Sequence, residues 1–241
     1  MSDYGLITKN DDGGVQIDSK FQNFIFYTSG SANINRGMTS IGISSSDLPP
    51  LFAMKPPSDY FVSVVGYGRS NNVYNSVKIL AGSLPDVHDF STSISYLVGR
   101  VASSQPSESY GLVVYNSEGK MCFHSAYRYL KILSVHNFTL SQPVLEAGKQ
   151  NFPYVDINHS NILNPYYILT PNWVGKGTVK MLKGPQPPRL FALYKVAVGL
   201  KKLSSEKVRV QSYVFDYYTS ASWPPLWPYW ISSYTLLTCN I

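Results

Sequence analysis

The chain has 241 residues, 44% of them hydrophobic and only 14% charged, with a formal net charge of +6. That much apolar surface excludes wholesale disorder, and the length suits one large β domain or two modest ones. Two cysteines exclude a disulfide scaffold, and Lys201-Lys202 as the only adjacent basic pair argues against a nucleic-acid arm.

In chain order, Tyr4 to Tyr27 (YGLITKNDDGGVQIDSKFQNFIFY) reads as a strand, an Asn-Asp-Asp-Gly turn, an alternating return strand and an aromatic-rich strand from Phe24 to Tyr27. Thr28 to Ser46 is rich in Ser, Gly and Asn and is expected as loop or short edge strands. Prolines bracket Leu51 to Met54 on both sides, and because proline lacks an amide donor a sheet edge or extended crossing is expected there. Tyr60 to Tyr67 is a buried-strand pattern, Asn71-Asn72 a turn, and Val73 to Leu80 the strand after it. Ser91 to Val101 is a further strand. Ala102 to Ser109 (ASSQPSES) has the composition of a linker.

The opening stretch then recurs 106 positions on, as Tyr110 to Leu133 (YGLVVYNSEGKMCFHSAYRYLKIL). Without a gap the copies share Tyr-Gly-Leu, an Asn (Asn10, Asn116), a Gly (Gly13, Gly119) and a Ser (Ser19, Ser125). Each copy is expected to fold as a β-hairpin followed by a strand, and a lone hairpin needs a larger partner to be stable. Strand patterns continue at Val135 to Leu140, Tyr166 to Leu169, Gly175 to Leu182 and Val208 to Tyr217; Leu190 to Leu200 fits a buried strand or a helix by pattern alone, and its β-branched and aromatic content favours strand. No segment shows a capped helical face. The expected class is all-β: two tandem β-sandwich-like domains, 1–105 and 106–241, each opening with a related hairpin.

The residues with chemistry are sparse. His88, His124, His136 and His159 make no metal-ligand spacing, and no nucleophile elbow occurs. Asn10 to Gly13 lacks the distal Glu of a calcium loop. Strand alternation puts Cys122 on a wet face with Lys120 and His124, so a reduced, partly exposed thiol is expected. No cofactor, metal or catalytic residue is expected, and the reading is non-enzymatic. The stretch that stands out is Ser222 to Trp230, three of the four tryptophans among three prolines. Trp223, Leu226, Trp227, Tyr229 and Trp230 are the expected contact residues, since proline lowers the ordering cost and Trp and Tyr are typical anchors; the alternative is that the loop folds over the open end of its own sheet as core. Nineteen tyrosines on a chain so short of charge point the same way, toward contacts with neighbouring subunits.

The twice-used YGL…N..G….S hairpin resembles a family of small tailed-bacteriophage virion proteins. Their members open on a similar Tyr-Gly-Leu strand and an N-x-x-G turn leading to a Phe/Ile-Asp-Ser ending. Ile17-Asp18-Ser19 matches that ending, and Phe123-His124-Ser125 departs from it at the acid. The resemblance covers the two hairpins and their flanks. It implies a structural virion component of the tail tip or fibre-attachment region, working as a homo-oligomer among other virion proteins. Alternatives are a module for a host-surface receptor or glycan and a capsid decoration protein. The opening MSDYGLITKN has no signal-peptide pattern and no eighteen apolar residues run together. The expectation is therefore a protein made in the bacterial cytoplasm, with no membrane insertion and no nucleic-acid partner.

Overall fold

The computed structural model describes residues 7–9, 15–18, 23–83, 89–101, 110–146, 149–159, 161–171, 174–181, 191–220 and 231–241. Every regular element among them is a β-strand, and none is a helix long and apolar enough to cross a membrane. The first half supplies β1 (Ile7–Lys9), β2 (Val15–Asp18), β3 (Phe24–Asn35), β4 (Gly37–Ser46), β5 (Leu51–Lys55), β6 (Phe61–Ser70), β7 (Val73–Gly82) and β8 (Ser91–Val101). The second supplies β9 (Val113–Tyr115), β10 (Met121–His124), β11 (Lys131–Thr139), β12 (Val144–Glu146), β13 (Lys149–Asn151), β14 (Tyr154–Asn158) and β15 (Tyr166–Thr170). After these come β16 (Val174–Met181), β17 (Phe191–Ser204), β18 (Lys207–Ser220) and β19 (Ser233–Asn240).

The two hairpins are the same object. In the first, Ile7 faces Asp18, Thr8 faces Ile17 and Lys9 faces Val15, with Gln16 skipped. In the second, Val113 faces His124, Val114 faces Phe123 and Tyr115 faces Met121, with Cys122 skipped. Every pair and the bulge recur at the spacing read from the sequence. The identity continues into the next strand. β3 bulges at Tyr27 between the pairs Phe26–Gly99 and Thr28–Val98, and β11 bulges at Leu133 between Ile132–Cys239 and Ser134–Thr238. A bulge leaves one residue unpaired and turned outward. Tyr27 and Leu133 are accordingly 43% and 41% exposed.

The duplication extends to the whole topology. A six-stranded sheet runs β11-β19-β15-β5-β8-β3, and a seven-stranded sheet runs β14-β18-β17-β6-β7-β4, with β16 also paired to β17. Each half therefore places its strands in the same order: edge of the first sheet, edge of the second, inner first, inner second, middle second, middle first. First strand pairs with last and second with next-to-last, a nested winding of the jelly-roll kind. The halves meet at an approximate two-fold axis, antiparallel in both sheets, where Met54 on β5 pairs with Tyr167 on β15 and Val62 on β6 with Leu200 on β17. The all-β, sandwich-like class stands. The division at 105/106 falls between the repeats, but it does not separate one core from another, because both sheets run through it.

Alternation along the strands fills the space between the sheets. Ile34, Phe52, Met54, Ile94 and Val98 from the first half meet Tyr167, Tyr234 and Leu236 from the second, over Val62, Val77, Ile79, Leu200, Val208 and Val210 from the facing sheet. Burying a side chain of this size contributes roughly 1.5–3 kcal/mol each, so this joint core is the main stabilising term. The far face of the six-stranded sheet is covered at one end. There the residues after the hairpins cross-pair: Phe26 N–H donates to the Arg128 carbonyl at 2.6 Å and Leu130 N–H to the Phe24 carbonyl at 3.2 Å. The two outermost strands thereby meet over Ala53, Leu97 and Cys239, packed with Phe26, Leu130 and Ile168.

Several elements differ from expectation. Residues 28–46 do lie in edge strands, one of the two expected forms, but the strands are long rather than short, and their alternating exposure suits small polar residues on the wet side. The proline-flanked segment is not an edge: β5 sits at the centre of its sheet, because Pro49, Pro50, Pro56 and Pro57 lie outside the paired residues. β14 and β19 carry no pattern strong enough to mark them as strands in the sequence. Asn71 and Asn72 turn at φ 48° and 65°, the left-handed pair that a tight hairpin requires.

Candidate functional site

The outer face of the seven-stranded sheet holds the candidate site. With Val62, Val77, Ile79 and Val210 turned into the core, the intervening residues point out. At the seam they form an apolar patch of Phe61, Leu80, Ala197, Tyr213 and Phe215, with Val65 against it. Tyr213 is fully buried there: its hydroxyl donates to the Leu80 carbonyl at 2.9 Å and lies 2.8 Å from Ser63 Oγ, and its ring stacks on Phe61. Beside this patch opens a groove of about 550 Å³. Met38, Val65, Leu80 and Phe215 give it an apolar floor, and Arg36, Lys78, Lys195, Asp89 and Asp216 a charged rim.

Most of the rim charges neutralise one another. Lys195 Nζ lies 2.5 Å from Asp216 Oδ2, and Arg36 reaches Asp89 at 3.3 Å and Asp216 at 3.7 Å. Lys78 is exposed and has no ion pair among the described residues. The arrangement can hold a ligand with an apolar body and an acid group. Among the described residues it brings no nucleophile, base and orienting acid into one hydrogen-bonded line.

The equivalent surface of the second half is occupied by its own side chains. Asp156 takes a two-point contact from Arg209, Nε to Oδ1 at 2.7 Å and Nη2 to Oδ2 at 3.0 Å, and Lys207 Nζ adds a third at 3.2 Å. The Arg209 hydrogen bond above all, with Lys207 helping, holds the Asp156 carboxyl below its ordinary value, and Asp156 raises Arg209 in return. The Arg209 guanidinium lies 4.0 Å from the centre of the Tyr154 ring. Gln211 Nε2 donates to the Phe152 carbonyl at 2.7 Å.

The remaining polar candidates are built into the structure. His159 donates Nδ1–H to the Ile162 carbonyl at 3.0 Å, and its Nε2 accepts from the Tyr167 hydroxyl, whose burial pushes its pKa up. His124 Nδ1 accepts the Ala126 amide at 3.1 Å, which fixes the tight turn after β10. Ser134 Oγ lies 2.9 Å from His136 Nε2, but it also shares a 2.5 Å contact with Thr238 Oγ1. Cys122 overturns the expectation of a partly exposed thiol: it is 3% exposed, because the second hairpin lies against Asn23, whose side-chain amide donates to the Cys122 carbonyl. Among the described residues no three His, Cys, Asp or Glu side chains converge to hold a metal.

The expected contact residues Trp223, Leu226, Trp227, Tyr229 and Trp230 lie outside the described residues, as does His88. None of the groove residues stands out in the sequence, where they are scattered from Arg36 to Asp216. The one signal is local: Lys78 sits alone between apolar Val77 and Ile79. A comparison with protein-family models, curated proteins and solved structures finds no match in any of the three.

Proposed function

We propose that this chain is a non-enzymatic structural component of a tailed-phage virion, in the tail-tip or fibre-attachment region, making subunit–subunit contacts. The observation that carries the reading is the shared register of the two hairpins. The motif that resembles the phage family is thereby a structural unit, used twice, with the residues that follow each copy cross-paired at an approximate two-fold axis. A role in assembly fits a fold in which the buried side chains of His124, His159, Tyr167 and Tyr213 are committed to internal hydrogen bonds. It also fits a surface that leaves Tyr110, Leu112, Val135 and Tyr154 more than half exposed. The partners are further copies of this chain and other virion proteins, with Trp223, Leu226, Trp227, Tyr229 and Trp230 as proposed contacts.

The test is the protein content of purified particles of the phage that carries this sequence. The chain is expected there in a fixed copy number, and antibody labelling is expected at the tail tip. Labelling on the head would move it to capsid decoration. Abundance in infected cells with none in purified particles would sink the reading. A host-receptor or glycan module is the second reading, favoured by the open groove beside the seam. It predicts that Trp227→Ala with Trp230→Ala abolishes adsorption while particles still assemble.

A further inference from the structure

We propose that the groove floored by Met38, Val65, Leu80 and Phe215 binds an extended acidic peptide segment of a partner protein, with an aromatic side chain two residues before a carboxylate. The inference does not depend on the chain being a virion component. It follows from reading one half of the molecule as the template for the other.

The registers fix which residues correspond. In the seven-stranded sheet, Ile41 pairs with Val77 in the first half and Ile157 with Val208 in the second, all four turned into the core. Counting outward from those pairs, Ser40 beside Lys78 corresponds to Asp156 beside Arg209, and Met38 beside Leu80 corresponds to Tyr154 beside Gln211. The second half therefore shows a completed version of this surface. A cation from the middle strand is met by a carboxylate, and an aromatic ring lies against that cation at 4.0 Å. The first half keeps the cation as Lys78 but replaces the acid by Ser40 and the ring by Met38. Removing those two groups leaves an apolar-floored groove and a lysine with no carboxylate within ion-pair distance among the described residues.

What the groove lacks is what Tyr154-Val155-Asp156 supplies on the other side. Alternation along an extended segment puts residues i and i+2 on one face, so a ligand of the form aromatic-x-acid presents both groups together. Its ring would cover Leu80 and Met38, and its carboxylate would meet Lys78. Arg36 and Lys195 already have Asp89 and Asp216 as partners, which leaves Lys78 as the cation that selects the acid.

The test is titration of the full-length protein, isotope-labelled for amide NMR, with the peptide acetyl-Gly-Tyr-Val-Asp-Gly-amide. Saturable shifts are expected at Met38, Lys78, Leu80 and Phe215. Replacing the peptide's Asp by Asn should weaken binding about tenfold, the value of one charge-assisted hydrogen bond. Ser40→Asp restores in cis the carboxylate that the second half has, and it should weaken the peptide about as much without lowering the melting temperature. Lys78→Glu should abolish binding. Shifts that do not saturate or that map elsewhere, equal affinity for the Asp and Asn peptides, or unaltered binding to the Ser40→Asp protein would each overturn the proposal. Equal shifts from acetate alone would also overturn it, since the site would then be a simple anion contact.

Discussion

Gly82 and Tyr213 hold equivalent places in the two repeats, and the first is bare so that the second can fill the seam. Gly82 pairs with Phe61 on β6, and Tyr213 pairs with Ala197 at the corresponding place on β17. A Cβ built on Gly82 would stand 2.6 Å from the Tyr213 ring and 2.2 Å from the Val214 carbonyl oxygen. Two tyrosines related by the axis would collide there. A single buried phenol, hydrogen-bonded to Leu80 and Ser63, can serve both halves.

Gly82→Ala is therefore expected to destabilise the protein although alanine is only one methyl larger. The closest atom is backbone and cannot rotate aside, so the cost should be about 1–3 kcal/mol, at the level of core overpacking. Urea denaturation measures it, and an unchanged midpoint would show that the seam is looser than described.

Asp156→Asn should have a pH-dependent cost. The Asp156 carboxyl is lowered by Arg209 first and by Lys207, so its stabilising contribution is present above the unfolded-state value near 3.9 and is lost as pH falls through the lower folded value. These groups are partly solvated, which limits the contribution to about 1 kcal/mol at neutral pH. The stability gap between parent and variant should stay constant from about pH 7 to about pH 5 and close below about pH 4. A gap that widens in acid would contradict the assignment.

The turn of the second hairpin rests on Gly119 at φ +74°, with open space where a Cβ would lie. Gly119→Ala should cost about 1 kcal/mol from backbone conformation alone, and Gly119→Asn less, since Asn tolerates the left-handed region. Asn116→Ala removes the acceptor for the Glu118 and Lys120 amides and should cost about 1–2 kcal/mol. Thermal denaturation of the three variants ranks them, and Asn costing more than Ala at position 119 would count against a purely conformational effect.

Neither cysteine should react in the native protein. Cys239 is fully buried and burial pushes its thiol up to about 12, while Cys122 is 3% exposed and lies against Asn23. A thiol-disulfide reagent at pH 8 is expected to label neither thiol before denaturation and both after it. Rapid labelling of one thiol in the native state would mean that the second hairpin opens.

The repeat is legible because its turn residues and apolar spacing are local, and local chemistry sets hairpin geometry. Asn116, Gly119 and the β-branched run at Val113-Val114 are enough to place β9, the turn and β10. Alternation likewise places β6, β7, β8 and β18. It cannot say which face of a strand will be wet. Cys122 and His124 follow Lys120 in the alternation and so read as facing water, yet both are 3% exposed: Asn23 arrives against Cys122 from a hundred positions away, and Tyr127 and Tyr129 fold back against His124.

By itself the sequence determined the all-β class, the duplication and the hairpin register, each set by contacts between near neighbours in the chain. Only the tertiary structure decided that the halves share both sheets, that proline-flanked β5 lies at their seam, and that Lys78 faces an open groove where Arg209 faces Asp156. The reason is that sheet order depends on which distant strands meet. A strand's own residues specify its two faces but not its neighbours.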